Sequence, residues 1–169
     1  MELLKIKKEE FDAVYDELER NFVPEERRDR EEARAILERP EFDFLHVVEN
    51  GEKVGFITVW RLDGFAFAEH FVTYEKYRSQ GLGGRVIELL RERYPLILLE
   101  CEHPETPLKA RRVAFYRRHG FVENDHPYFQ PSYHGGDGVP LILMSCPTRL
   151  DDFDAAVREI YAKVYGKEF

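Results

Sequence analysis

Residues 75–90, EKYRSQGLGGRVIELL, place three glycines in four positions and then turn amphipathic. This stretch limits the possible folds more than any other. Before it runs the extended segment RLDGFAFAEHFVTY, and after it comes YPLILLEC, apolar without interruption. Val86, Leu89 and Leu90 mark one face of a helix between the two. A continuous apolar strand is buried on both faces, and strand, crossover helix and second strand together make a βαβ unit with parallel strands. A purely antiparallel sheet is therefore excluded.

The segments on either side follow a different grammar. ELLKIK reads as a short strand, and Phe11, Val14, Tyr15 and Leu18 recur at helical spacing. Pro24 and early glutamates open EERRDREEARAILER as a second helix, whose alternating charges read as a solvated face. Asn50-Gly51 and Asp63-Gly64 are tight-turn pairs between extended runs, giving three antiparallel strands. Beyond the βαβ unit, LKARRVAFYRRHGF is a helix terminated by Gly120. YFQPSY, a GGDG turn, the strand VPLILMSC and an amphipathic helix DDFDAAVREIYAKVY complete the order.

The 169 residues can bury a full core and read as one domain, residues 1–169. A net charge of −8 without a basic stripe gives nucleic-acid phosphates no footing. No stretch resembles a cleaved leader or approaches a membrane span, so a cytoplasmic protein without a membrane partner is expected. Cys101 and Cys146 sit in apolar strand-like runs and read as buried, reduced thiols. Cys101 and His103 form too small a pair for zinc, so no metal is expected, and Ser79 lacks the elbow of a serine nucleophile.

A helix start leaves backbone N–H groups unpaired and carries partial positive charge, so a glycine-rich approach suits phosphate. Arg78 would either add a charged contact there or brace the loop. A dinucleotide-binding turn requires a further glycine where Val86 stands, and a nucleotide-hydrolase loop requires Lys-Ser or Lys-Thr where Arg85-Val86 stands. Both of those phosphate folds fail. The remaining reading of Gly81, Gly83 and Gly84 without a ligand is a tight turn and close helix packing.

AEHFVTYEKYRSQGLGGRVIELL resembles the acetyl-coenzyme-A-binding motif of the GNAT superfamily of N-acetyltransferases, in which Arg or Gln, two residues, Gly, one residue and Gly or Ala follow in order. Arg78, Gly81 and Gly83 satisfy it. AFYRRHGF at 114–121 is similar to the family's second block, a helix carrying a tyrosine and ending in Gly-Phe. The resemblance implies an α/β (α+β) fold: a central mixed, mostly antiparallel sheet of about seven strands flanked by helices. A parallel strand pair splays apart at the cofactor site.

The resemblance further implies acetyl-coenzyme A as co-substrate and a small-molecule or peptide amine as acceptor. Backbone groups of Phe71, Val72 and Thr73 would pair with the pantetheine arm, and Arg78, Ser79, Gln80, Gly81, Leu82, Gly83 and Gly84 would hold the pyrophosphate. Tyr116 matches the tyrosine that protonates the departing thiolate. A phenol at about 10 stays loaded at neutral pH, whereas a thiol sits at about 8.5. Glu100 and Glu69 are the candidate bases, Glu100 preferred, with His70 and His103 as weaker alternatives. Each carboxylate reads equally well as a structural group.

Two positions depart from the family pattern: Glu75 replaces a common proline, and Lys109 a common asparagine. Acceptor choice would fall to NFVPEERRDREE and YFQPSYHGGDG, where Tyr128, Phe129 and Tyr133 either line a cleft or anchor a loop. The expected function is acetyl transfer to a primary amine by direct attack in a ternary complex. The alternative is a catalytically silent acyl-coenzyme-A-binding or protein-interaction domain on the same fold. Oligomeric state, a homodimer included, is left open.

Overall fold

The computed structural model describes residues 1–169. Strands β1 (Glu2–Lys5), β2 (Phe42–Glu49), β3 (Glu52–Arg61) and β4 (Ala66–Thr73) pair antiparallel in sequence order. Both turn pairs lie where expected. Asn50 and Gly51 take φ of 51° and 80°, the left-handed region such a two-residue turn demands. Helix α1 (Phe11–Asn21) and the shorter α2 (Arg30–Ala35) lie between β1 and β2.

Past β4 the chain crosses over through α3 (Leu82–Arg93) to β5 (Ile97–Cys101), which runs parallel to β4. Then follow α4 (Pro107–Arg118), β6 (Val122–Glu123), β7 (Tyr128–Gln130) and β8 (Val139–Cys146), and finally α5 (Phe153–Ile160) with a π-helical turn at Tyr161–Tyr165. The sheet order is β1-β2-β3-β4-β5-β8-β6, with β7 also on β8, making eight strands. Two very short strands, β6 and β7, account for the excess over seven. They divide between them an edge of β8 that one longer strand would have filled.

Each face of the sheet carries its own apolar layer. Phe11, Tyr15, Trp60, Phe67 and Ile160 belong to the layer under α1 and α5, and Val86, Leu90, Val113 and Met144 to the layer under α3 and α4. The pairing of β3 with β4 slips between Thr58↔His70 and Val59↔Ala68, leaving Glu69 as the extra residue of a β-bulge. Before the bulge Phe67 faces the α1 layer and Ala68 the α3 layer; after it Phe71 faces α3 and Val72 faces α1. The side-chain alternation is thus inverted along β4.

The segment after Pro24 departs from the single helix that its charges suggest. Pro24–Glu26 is a 3₁₀ turn, Arg27 is extended, and α2 begins only after Asp29, whose side chain accepts from the Glu32 amide. The cap restarts the helix and leaves Arg27 and Arg28 in a connecting loop. Nor is the run wholly a solvated face: Arg28 is buried. Helix α3 also starts earlier than the glycines suggest, so Gly83 and Gly84 lie inside its first turn. Cys101 and Cys146 are buried and unpaired by disulfide, as the sequence indicates. No helix is long and apolar enough to cross a membrane.

Candidate active site

Strands β4 and β5 pair only over Ala66↔Ile97, Phe67↔Leu98 and Ala68↔Leu99. Beyond that point they part. From Phe71 to Thr73, β4 still pairs with Ile57, Phe56 and Gly55 of β3 on one side, while its other edge is released from β5. A cavity of about 410 Å³ fills the opening, walled by Phe71, Val72, Val86, Leu99 and Tyr116 among others. A second, of about 440 Å³, is lined by Phe22, Glu26, His103, Gln130 and Val139. Glu69 and Glu100 line both, so the two carboxylates stand where the cavities meet.

Their environments are opposite. Glu69 accepts from Arg28 Nη1 at 2.5 Å, Tyr133 Oη at 2.8 Å and Trp60 Nε1 at 3.0 Å. Burial raises the pKa of such a carboxyl, but the Arg28 guanidinium, reinforced by these donors, holds Glu69 below the ordinary range. A carboxylate so fully engaged is a poor proton acceptor. Glu100 has no cation among its partners: Tyr128 Oη donates to Oε1, and Tyr165 Oη lies 2.9 Å from Oε1 and 2.8 Å from Oε2. Burial pushes it up to about 7, and the two phenols restrain the rise.

His70 is held in one neutral tautomer. Its Nε2 faces the Glu26 carbonyl oxygen at 2.8 Å and so carries the proton, while Nδ1 faces the Thr58 hydroxyl at 3.4 Å. Burial drives its pKa down despite the neighbouring Glu69, so the ring stays neutral, with the Nδ1 lone pair turned to the Thr58 hydroxyl. His103 lines the second cavity. Tyr116 lies against Phe115 and Phe121 with its ring on the first cavity, and burial lifts its phenol to about 12. It holds its proton throughout the neutral range.

The glycine segment divides into two parts. Ser79 and Gly81 adopt left-handed φ of 63° and 73°, and Gly81 caps α3 with no side chain serving the amides of the first turn. Those amides are the anion-seeking groups of a helix start. Gly84 has another reason to be glycine: a Cβ there would stand 2.4 Å from the His119 ring, so its bareness lets α3 approach α4. Gly83 faces Phe115 in the same contact, and Leu82 is buried in the core. Gln80 Nε2 reaches back to the Lys76 carbonyl. Arg78 braces the loop, donating to the Thr73 carbonyl at 3.2 Å and to Asn21 Oδ1 at 2.8 Å. Lys109 lines both cavities and pairs with Glu102 at 3.4 Å.

The cavity is walled by the released edge of β4 and by Val86, Ile87 and Leu90 of α3, while residues 78–84 at the helix start lie outside its wall. An edge of that kind followed in the chain by a glycine-rich helix start suits a ligand with an extended amide arm and phosphate at its end. The profile of the acetyltransferase (GNAT) domain matches residues 40–123. A solved structure from Bacteroides thetaiotaomicron, described as a GNAT-family acetyltransferase, matches with TM-score 0.93 at 31% identity, covering 99% of this chain and 100% of that one. This chain belongs to the GNAT family of acetyltransferases.

Two further comparisons give lower identity. YjbC of Bacillus subtilis, described as an acetyltransferase, is 29% identical over 109 residues; the match spans 63% of this chain and only 55% of that protein. An aminoglycoside 6′-N-acetyltransferase complexed with coenzyme A shares the fold at TM-score 0.62 and 20% identity, over 90% of this chain and 100% of that one. Within this GNAT fold, sequence reasoning had missed Arg28, Trp60 and Tyr165. Of the three late aromatics, Tyr128 and Tyr133 bond the two carboxylates, and Phe129 is exposed. Nothing in the local spacing separates Arg28 from its solvated neighbours.

Proposed function

We propose that this chain transfers an acetyl group from acetyl-coenzyme A to a primary amine by direct attack, with Glu100 as general base and Tyr116 as proton donor. The observation that carries this reading is the state of Glu100, a carboxyl without a cationic partner at the junction of two cavities, moved to about 7. A base is most effective when its pKa lies near the working pH. Spermidine, aminoglycoside and ribosomal-protein alanine acetyltransferases share the fold, and their names describe acceptors that are all amines.

When bound, acetyl-coenzyme A supplies the activated thioester. The edge of Phe71, Val72 and Thr73 would hold its amide arm, and the backbone from Ser79 to Gly84 its pyrophosphate. Arg78 fixes the loop that presents those amides. Glu100 takes the proton released by the attacking nitrogen. Tyr116 donates its phenolic proton toward the departing sulfur and regains one from water. Glu69, locked to Arg28, anchors the acceptor side instead of acting as a second base.

The test is release of free thiol from acetyl-coenzyme A in the presence of a panel of primary amines, with Glu100→Gln beside the unaltered protein. Amine-dependent release that falls a hundredfold or more in the variant, with coenzyme A binding retained, supports the assignment. Coenzyme A binding without release for any amine would leave the acyl-coenzyme-A-binding alternative.

A further inference from the structure

The carboxylate read as the base is held by groups from outside the matched GNAT segment, which ends at residue 123. Tyr128 comes from β7, and Tyr165 from the π-helical turn that ends the last helix. Helix α5 buries Phe153, Ala156, Val157 and Ile160 against the sheet, and Val164 continues that face. The wider turn after Ile160 brings Tyr165 to Glu100 as well, and π-turns of this kind concentrate at functional sites. Its carbonyls are not left free: Arg28 Nη2 donates to Val164 and Arg39 Nη1 to Lys163 at 3.1 Å. Gln130 Nε2 donates to the Tyr165 hydroxyl at 3.1 Å, so the phenol's own proton is directed at Glu100.

We propose that Tyr165 is a positioning residue for Glu100, orienting its carboxylate at the cavity junction and favouring its ionised form. The proposal rests on the reading of Glu100 as the base. A carboxylate offers about four lone-pair sites. Two phenols leave some of them open to an incoming amine, whereas the three donors on Glu69 include a cation. The other charged and titratable groups around Glu100 are Glu69 with its Arg28 on the β4 side, Tyr133 from the loop after β7, Tyr161 one helical turn before Tyr165, Glu102 two residues along with its α4 partners Arg112 and Lys109, Tyr116 on α4, and Glu25, Glu26, His70, Cys101, His103 and Glu105 on the cavity walls. None of these donates a hydrogen bond to Glu100; its donors are Tyr128 and Tyr165.

The experiment is an infrared titration of the protonated carboxyl band of Glu100, identified by its loss in Glu100→Gln, in the unaltered protein and in Tyr165→Phe. The isosteric change removes one donor to the ionised form, so the midpoint moves upward by about one to two pH units. The rising limb of the acetylation pH profile moves with it, while KM for acetyl-coenzyme A does not change. An unmoved midpoint in Tyr165→Phe overturns the proposal. If a thermal melt shows that variant to be unfolded, Gln130→Met serves instead: a smaller upward shift supports the proposal and no shift overturns it. Failure of the base assignment registers separately, as undiminished amine acetylation by Glu100→Gln.

Discussion

Arg28 Nη1 lies 2.5 Å from Glu69 Oε1, in an ion pair whose side chains are only 9% and 2% exposed. The pair joins the bulge of β4 to the loop ahead of α2. Tyr133 adds the loop between β7 and β8 to the same carboxylate, and Arg28 also holds the C-terminal turn through Val164. Both segments expected to choose the acceptor therefore hang on Glu69. Arg28 further stacks on the Tyr133 and Trp60 rings, at 4.8 and 5.3 Å from their centroids.

Removing one member of such a pair strands the other. Arg28→Ala leaves a buried carboxylate with neutral donors only, and its expected cost is about 3–5 kcal/mol. Urea unfolding at neutral pH measures it. The double variant Arg28→Met with Glu69→Leu should lose less than the sum of the two single changes. Strict additivity would show that the two side chains are not coupled.

The fold was legible wherever a period carried it. YPLILLEC and the helix before it announced the parallel crossover, and Asn50-Gly51 announced its hairpin because few residues tolerate positive φ. The site was legible in part, since Glu69, Glu100 and Tyr116 line one cavity, whereas residues 78–84 lie outside its wall. What stayed hidden is tertiary. The bulge at Glu69 depends on how β3 and β4 pair, and the burial of Arg28 depends on a partner 41 residues away. Tyr165 reaches Glu100 across 65 residues, through a turn whose π geometry has no spacing signature of its own.

Glu100 links stability to function in a predictable direction. An acid with a raised folded-state pKa keeps its proton longer in the fold than in the unfolded chain. Stability is therefore greatest below the ordinary carboxyl value of 4.5 and is lost as pH rises through about 7. Replacing Glu100 with Gln removes that loss. The variant should be more stable than the unaltered protein by about 3 kcal/mol at mildly alkaline pH, with the advantage gone below the carboxyl range. Unfolding midpoints across that pH range decide it; an advantage that does not fade on acidification would mean that ionisation of Glu100 is not its source.

Arg78 holds the loop proposed to receive the pyrophosphate through two contacts with the rest of the chain. Arg78→Ala frees the segment from Thr73 and Asn21, so the amides from Ser79 onward lose their fixed arrangement. Calorimetric titration with desulfo-coenzyme A should show binding weakened by about tenfold, or ~1.4 kcal/mol. Because the side chain is exposed, global stability should move by less than about 0.5 kcal/mol. Unchanged affinity would detach this loop from the pyrophosphate.

Tyr116 and Glu100 are expected to fail differently. The phenol, at about 12, is fully protonated wherever the enzyme works, so its removal changes the rate without moving the pH at which activity rises. Tyr116→Phe should lower kcat by about a hundredfold, leave coenzyme A affinity intact and keep the rising limb near the Glu100 midpoint. The deficit should shrink when the departing thiol is replaced by a more acidic one, since a better leaving group needs less help from a proton donor. Steady-state kinetics with acetyl-coenzyme A and with an acetylated aromatic thiol make the comparison. An equal deficit for both thioesters would place the tyrosine in packing the cavity wall against Phe115 and Phe121, not in proton transfer.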